Sequence, residues 1–266
     1  MKTMTIMNSL NDLNNTGLLS GYITNFMFIL LRSGIFLSLL PVIGGKEMPG
    51  QFRLGLAVFI AIMLTPVVKF EIGEDVIPLL ILKEALFALA LGLTVRFLFM
   101  AINLAGHVIS QVMGMSVAGV FNPEVGETTI ISEAIGIMAM LYFLVTDAHH
   151  ELIYIFVKSY ELVPAGHLNI MPVIPEVMAM GNKMFILALK IGAPVIVGLL
   201  ISNILAGFLY RVAPQMNIFF IAMPLNIFLG FFLLMLGIPV FEYVFSVNFS
   251  DLRGEMSRII AMARTN

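Results

Sequence analysis

The chain has 266 residues, 60% of them hydrophobic and only 11% charged, with a mean hydropathy of +1.02. A water-soluble domain carries about 25% charged residues, so this composition is that of an integral membrane protein. A formal net charge of -2 gives no electrostatic case for nucleic acid or for an anchor on anionic lipid. The absence of Cys removes disulfides, thiolate metal sites and Cys nucleophiles.

Residues 1–21 are polar and lack the apolar core and small-residue cleavage pattern of a removable signal peptide. Insertion is expected to use the first hydrophobic run, Tyr22 to Ile43, which is long enough for a hydrocarbon core of roughly 30 Å. Arg32 lies near its middle. An arginine there costs about 2.5–3.5 kcal/mol on insertion scales, so it is expected to face a partner acid or a wet cavity. A loop from Pro41 to Gly50 follows, then a second run from Phe52 to Val68 with Arg53 at its start. The short connection makes these two runs an antiparallel hairpin.

A third element is expected over Val76 to Ala105, with Pro78 in its first turn. Lys83, Glu84 and Arg96 interrupt its apolar surface. Lys83 and Arg96 are separated by roughly 20 Å along a helix axis, so they serve different neighbours. The stretch after it, Gly106 to Glu127, is rich in Met and Gly. Gly106, Ser110, Gly114 and Ala118 recur every fourth residue, a smooth stripe that lets another backbone approach closely. Beyond the stripe, Gly119 and the pair Asn122-Pro123 are expected to end the helix. A non-helical apolar segment at membrane depth must be buried in protein or line a cavity. It reads either as a movable constriction in a pore or as an interhelical loop packed for stability.

The fourth run, Thr128 to Val145, carries Glu133 near its start. Asp147, His149, His150 and Glu151 follow. Their imidazoles and carboxylates admit a metal reading, but adjacent histidines on a helix point in different directions, so the group reads rather as a water interface and no metal is expected. Glu151 to Val163 is amphipathic, suited to the interface or to a sister subunit. Glu176 to Tyr210 is one long helical stretch containing Lys190, with a kink expected near Pro194. A polar turn, Arg211 to Asn217, leads into Ile218 to Val240. That run is expected to be broken by Pro224, Asn226, Gly230, Gly237 and Pro239, with a short helix in the basic tail.

The fold class is therefore an all-α membrane protein of about six long hydrophobic helices in hairpins. The chemistry of an enzyme is missing from the sequence. There is no phosphate-cradling Gly loop, no HExxH, no GxSxG and no intramembrane Ser-His or Asp-Asp pair. No cofactor is expected.

Arg32, Pro41, Pro49 and the run Gln51-Phe52-Arg53-Leu54-Gly55 carry a likeness to a known family. So do Gln111-Val112-Met113-Gly114-Met115-Ser116 followed by Asn122-Pro123, and Ala213-Pro214-Gln215-Met216-Asn217-Ile218-Phe219 with Pro224 behind it. In these motifs the chain resembles the R-type subunit family of the flagellar type III export gate, FliR, and its injectisome counterpart SctT, over about Arg32 to Val247. The likeness to the flagellar branch is the closer.

The resemblance implies a non-catalytic subunit of the bacterial inner membrane and the flagellar basal body. One R-type subunit joins five P-type and four Q-type subunits in a helical hetero-oligomer that forms the pore for unfolded flagellar proteins. A B-type switch protein and an A-type ring protein contact that assembly. Residues 22–175 become a P-like part with the plug loop and 176–247 a Q-like hairpin, flanked by the N-terminal segment 1–21 and the tail 248–266. The plug maps to Met113, Gly114, Met115, Ser116, Gly119, Val120, Phe121, Asn122 and Pro123. Asn122 stands where the family usually has Asp, so any charge pair at the plug base is replaced by neutral hydrogen bonds. Arg211, Pro214, Gln215, Met216 and Asn217 form the hairpin turn. Arg32, Lys83, Glu84, Arg96, Glu133 and Lys190 become buried charges that pair between subunits or within the helix bundle. Two other readings remain beside it. A small-molecule or ion secondary transporter would use broken helices near Pro194 and Pro224; a purely structural scaffold would leave conductance indifferent to plug substitutions.

Overall fold

The computed structural model describes residues 2–41, 43–45, 48–68, 77–115, 130–164, 168–212, 215 and 218–264, with side chains from 21 onward except at 210, 218 and 219. Among the described residues seven helices follow one another: α1 (Lys2–Leu39), α2 (Gly50–Leu64), α3 (Ile77–Val112), α4 (Ile130–Val145), α5 (Ala148–Leu162), α6 (Val173–Val212) and α7 (Ile218–Ala263). The only bridge outside helices among these residues pairs Leu168 with Arg264 in antiparallel sense. Among the described residues four segments are long and apolar enough to cross a membrane: Gly21–Leu39, Ile77–Val112, Val173–Leu209 and Phe220–Ala263. A fifth span arises if α4 and α5 count as one broken crossing. The molecule is an all-α membrane protein.

Two compact units share the chain, each built from separate stretches. The first comprises Met1–Val95, Leu152–Val177 and Glu255–Asn266; the second comprises Arg96–Glu151 and Met178–Gly254. In the first unit α1 and α2 pack together, and the Ser33 hydroxyl reaches the carbonyls of Ile29 at 2.7 Å and Ala57 at 3.4 Å. This is the hairpin expected from the short connection. Arg53 folds back to donate to the carbonyls of Met48 and Gly45, at 3.0 and 3.2 Å, which fastens that connection. Phe36 stacks on Phe156 with ring centroids 4.2 Å apart. In the second unit Phe99, Phe143 and Phe249 meet in a mutual cluster at 5.4–5.5 Å, joining α3, α4 and α7. Aromatic pairs at such spacings add about 0.5–1.5 kcal/mol each beyond area burial.

Several boundaries differ from the sequence reading. Helix α1 begins at Lys2, well before the apolar run. Helix α3 continues to Val112, past the expected Ala105, and then stops abruptly. Gly114 adopts φ +82°. Its N–H donates to the Gln111 carbonyl at 3.0 Å, and the N–H of Met115 reaches back to the Ser110 carbonyl at 3.1 Å. These two bonds are the Schellman arrangement, with the glycine at the position that needs a left-handed backbone. The helix therefore ends before the expected stripe is complete.

The largest departure is α7, one continuous helix of 46 residues that contains Pro224 and Pro239. At 1.5 Å per residue it is about 69 Å long, more than twice the thickness of a hydrocarbon core. The expected breaks do not occur because a proline removes only one intrahelical bond, and membrane helices re-satisfy freed carbonyls locally. The tail is part of this rod and not a separate helix. Helix α6 likewise runs through Pro194 unbroken.

Candidate functional site

The best-defined polar site lies in the first unit. Arg32, from the middle of α1, and Glu84, from α3, are both fully buried. The guanidinium grips the carboxylate in bidentate fashion, with Nε to Oε2 at 2.8 Å and Nη2 to Oε1 at 2.9 Å. Nη2 also donates to the Val163 carbonyl at 3.2 Å, and Nη1 donates to the carbonyl and hydroxyl of Ser159, each at 3.3 Å. An arginine has five N–H donors, and each has an acceptor here. The Arg32 guanidinium carbon also lies 4.4 Å from the Tyr160 ring centroid and 5.0 Å from that of Phe87, within cation–π range. The Tyr160 hydroxyl in turn donates to the Ile29 carbonyl at 3.3 Å. Arg32 thus faces a partner acid, as its mid-span position requires. Ser159, Tyr160 and Val163 complete the site, and the amphipathic pattern of α5 was the only sequence signal for them.

The other predicted charges are placed differently. Arg32 and Glu84 pair with each other inside this chain, which is the within-bundle one of the two pairings expected of them. Lys83 is half-buried and engaged in an interaction of its own. Arg96, Glu133 and Lys190 are exposed on apolar helices, so within the chain they are not buried charges. A charge on such a surface is expensive in lipid.

Of the expected packing stripe, Gly106 meets another backbone closely. A Cβ placed on Gly106 would lie 2.5 Å from Ser132 Cα and 3.0 Å from Ser132 N. Helices α3 and α4 therefore touch backbone to backbone there, and the Ser132 hydroxyl donates to the Asn103 carbonyl at 2.9 Å. Ser110 is fully buried. Gly114 departs from the stripe because it caps the helix, and Ala118 lies outside the described residues.

Among the predicted plug residues, Met113 is fully buried, and its Cε, Cγ and Sδ lie 2.6–2.7 Å from where a Cβ on Gly230 would sit. It anchors the segment against α7 and does not face an opening. Gly114 and Met115 are half-buried. Ser116, Gly119, Val120, Phe121, Asn122 and Pro123 lie outside the described residues, as do Pro214, Met216 and Asn217 of the hairpin turn. Of that turn, Arg211 is exposed and lines a shallow groove with Ile204, Gly207 and Phe208, and Gln215 is exposed in the turn.

The α6–α7 hairpin presents a wide apolar surface. Phe208, Phe228, Met235 and Leu236 are among many large side chains more than half exposed on it. Within this surface the Ser202 hydroxyl donates to Asn226 Oδ1 at 3.0 Å, and Asn226 Nδ2 donates to Asn203 Oδ1 at 2.7 Å. These bonds run between α6 and α7 and tie the two helices of the hairpin together.

Comparison with known proteins decides what kind of chain this is. Residues 23–252 match the family model described as "Bacterial export proteins, family 1". The chain belongs to that family. Its relatives among the bacterial export proteins carry the name flagellar biosynthetic protein FliR. The one from Bacillus subtilis (strain 168) is 29% identical over 251 residues, covering 89% of this chain and 95% of the relative. The one from Escherichia coli (strain K12) is 29% identical over 248 residues, covering 88% and 93%. The one from Buchnera aphidicola subsp. Acyrthosiphon pisum is 31% identical over 225 residues, covering 82% and 86%. Bacterial export proteins of this kind are not enzymes.

Proposed function

We propose that the chain is the R-type core subunit of a flagellar type III protein export gate, seated in the bacterial inner membrane within the flagellar basal body. The observation that carries this reading is the extent of the family match, residues 23–252, which takes in both the α1–α5 part and the α6–α7 hairpin. The chain works in assembly with other components of the export apparatus. In the finer proposal it stands once beside five P-type and four Q-type subunits. Residues 22–175 act as its P-like part and 176–247 as its Q-like hairpin, with the B-type switch protein and the A-type ring protein as further partners. The uncovered apolar face of the hairpin, its Ser202–Asn226–Asn203 ladder and the exposed charges Arg96, Glu133 and Lys190 support this, since sister subunits would cover all of them.

Unfolded flagellar proteins cross through the pore of the assembly, and the segment that follows the Gly114 cap, through Pro123, closes it at rest. Apolar constrictions shed water and block ions, and Met side chains repack readily around a passing chain. Met113 holds the root of the segment while Gly114 frees its backbone to turn away from α3. Deletion of 114–121 tests the plug. Cells carrying it should leak ions and small solutes while export continues at least in part, and unchanged permeability would refute the plug. Co-purification tests the assembly independently: the intact chain should leave the membrane bound to P- and Q-type subunits.

A further inference from the structure

Asp147, His149 and His150 lie at the turn between α4 and α5. Adjacent histidines should diverge, yet one ligand atom from each of these three residues falls within 4.8 Å of the others. The His149 and His150 rings lie 4.1 Å apart, tilted by 36°. The backbone explains the convergence. Asp147 has φ 55°, and its N–H donates to the Leu144 carbonyl at 3.2 Å, so it closes α4 in the left-handed conformation. Its own carbonyl accepts from the N–H of His150 at 3.0 Å and so opens α5. One residue both ends a helix and begins the next, which turns its carboxylate onto the imidazole beside it.

One of the separations already matches a metal's. Two ligands about 2.0–2.1 Å from a tetrahedral zinc-like ion are about 3.3 Å apart, and Asp147 Oδ1 lies 3.2 Å from His150 Nδ1. Nδ1 of His149 is shielded from solvent and without a hydrogen-bond partner. Asp147 and His150 are largely exposed, with 74% and 70% of their side-chain surface accessible, so an ion can enter. Two imidazoles and one carboxylate favour zinc, cobalt, nickel or copper over magnesium or calcium. We infer that this turn is a three-ligand site for a divalent transition-metal ion, with a fourth position open to water. The nearby Arg253 is engaged by Glu151 at 3.2 Å, so its charge is compensated beside the site.

The test uses the full chain in detergent, purified through a tag free of histidine, and titrated with Co2+ and with Zn2+ alone. Wild type should bind about one ion and show visible Co2+ bands of a nitrogen–oxygen site. His149→Ala and His150→Ala should each lose the bands and weaken Zn2+ binding at least about 10-fold, since even supporting residues around a metal cost 10–100-fold. Asp147→Gly keeps the turn, because glycine takes the left-handed backbone more easily than Asp, while removing the carboxylate. It should fold normally and bind at least about 10-fold more weakly. His107→Ala, on α3, should bind as wild type does. Absence of Co2+ bands in wild type would overturn the inference, as would unchanged Zn2+ affinity in folded Asp147→Gly or in the His149→Ala/His150→Ala double variant.

Discussion

Replacing Arg32 by Leu tests the polar core most sharply. The substitution strips Glu84 of both its bidentate bonds and removes the guanidinium donors to the Ser159 and Val163 carbonyls, all in a fully buried setting, though the Ser159 carbonyl keeps the Val163 N–H at 3.0 Å. Breaking a buried ion pair from one side costs about 3–5 kcal/mol. At about 1.4 kcal/mol per tenfold, the ratio of folded to unfolded chain should fall by roughly a hundredfold to several thousandfold. The Arg32→Leu/Glu84→Leu double variant should recover much of this. It removes both charges and forfeits only the carbonyl bonds, at about 1 kcal/mol each. Unfolding of the purified chain in mixed micelles, run as a double-mutant cycle with Glu84→Leu, measures the coupling directly. A coupling of about 4–8 kcal/mol is expected from these figures, with motility in soft agar following the same order. A single variant that loses less than about 1 kcal/mol, or a double variant whose loss is the sum of the singles, would refute the claim that this pair sustains the bundle.

Three further outcomes are expected of the purified chain under the same unfolding assay. Gly106→Ala should destabilise it by about 1–3 kcal/mol, because the added methyl meets the Ser132 backbone, which cannot swing aside. Gly34→Ala, in open space within α1, should instead stabilise by about 0.5–1 kcal/mol through helix propensity. Asn226→Ala removes the acceptor for Ser202 and the donor for Asn203. It should cost about 0.6 kcal/mol in the isolated chain, as hydrogen bonds between membrane helices do on average. Its effect on recovery of the gate complex should be the larger one if partner subunits cover the ladder.

Hydropathy revealed the helices, because an apolar run long enough to cross a bilayer must satisfy its backbone within itself, and a helix does so. It also showed that Arg32 needs a partner. It did not show that the partner is Glu84, because several acids and bases were available and their pairing is decided by which helix faces which. Ser159 and Tyr160 escaped notice for the same reason, since nothing in a serine or tyrosine of an amphipathic segment announces an arginine beside it. The prolines of α7 misled in the other direction: the rule that proline interrupts a helix holds in water and weakens at membrane depth. The Gly106 contact was legible from spacing, whereas the cap at Gly114 cut the stripe short because a repeat of small residues does not encode backbone handedness. The two histidine rings lie closer together than helical periodicity implies, because the helix is only beginning there.

The far end of α7 has a mechanical consequence. The Asn169 N–H donates to the Ala263 carbonyl at 3.0 Å, and Arg258 pairs with Glu176 at 3.2 Å, so the last turns of α7 are clasped to the segment that leads into α6. The same two rods are already joined covalently through residues 213–217. Levers fastened at both tips cannot scissor apart. Any widening between them has to come from bowing along their length, and Pro194, Pro224 and Pro239 are where such rods are softest.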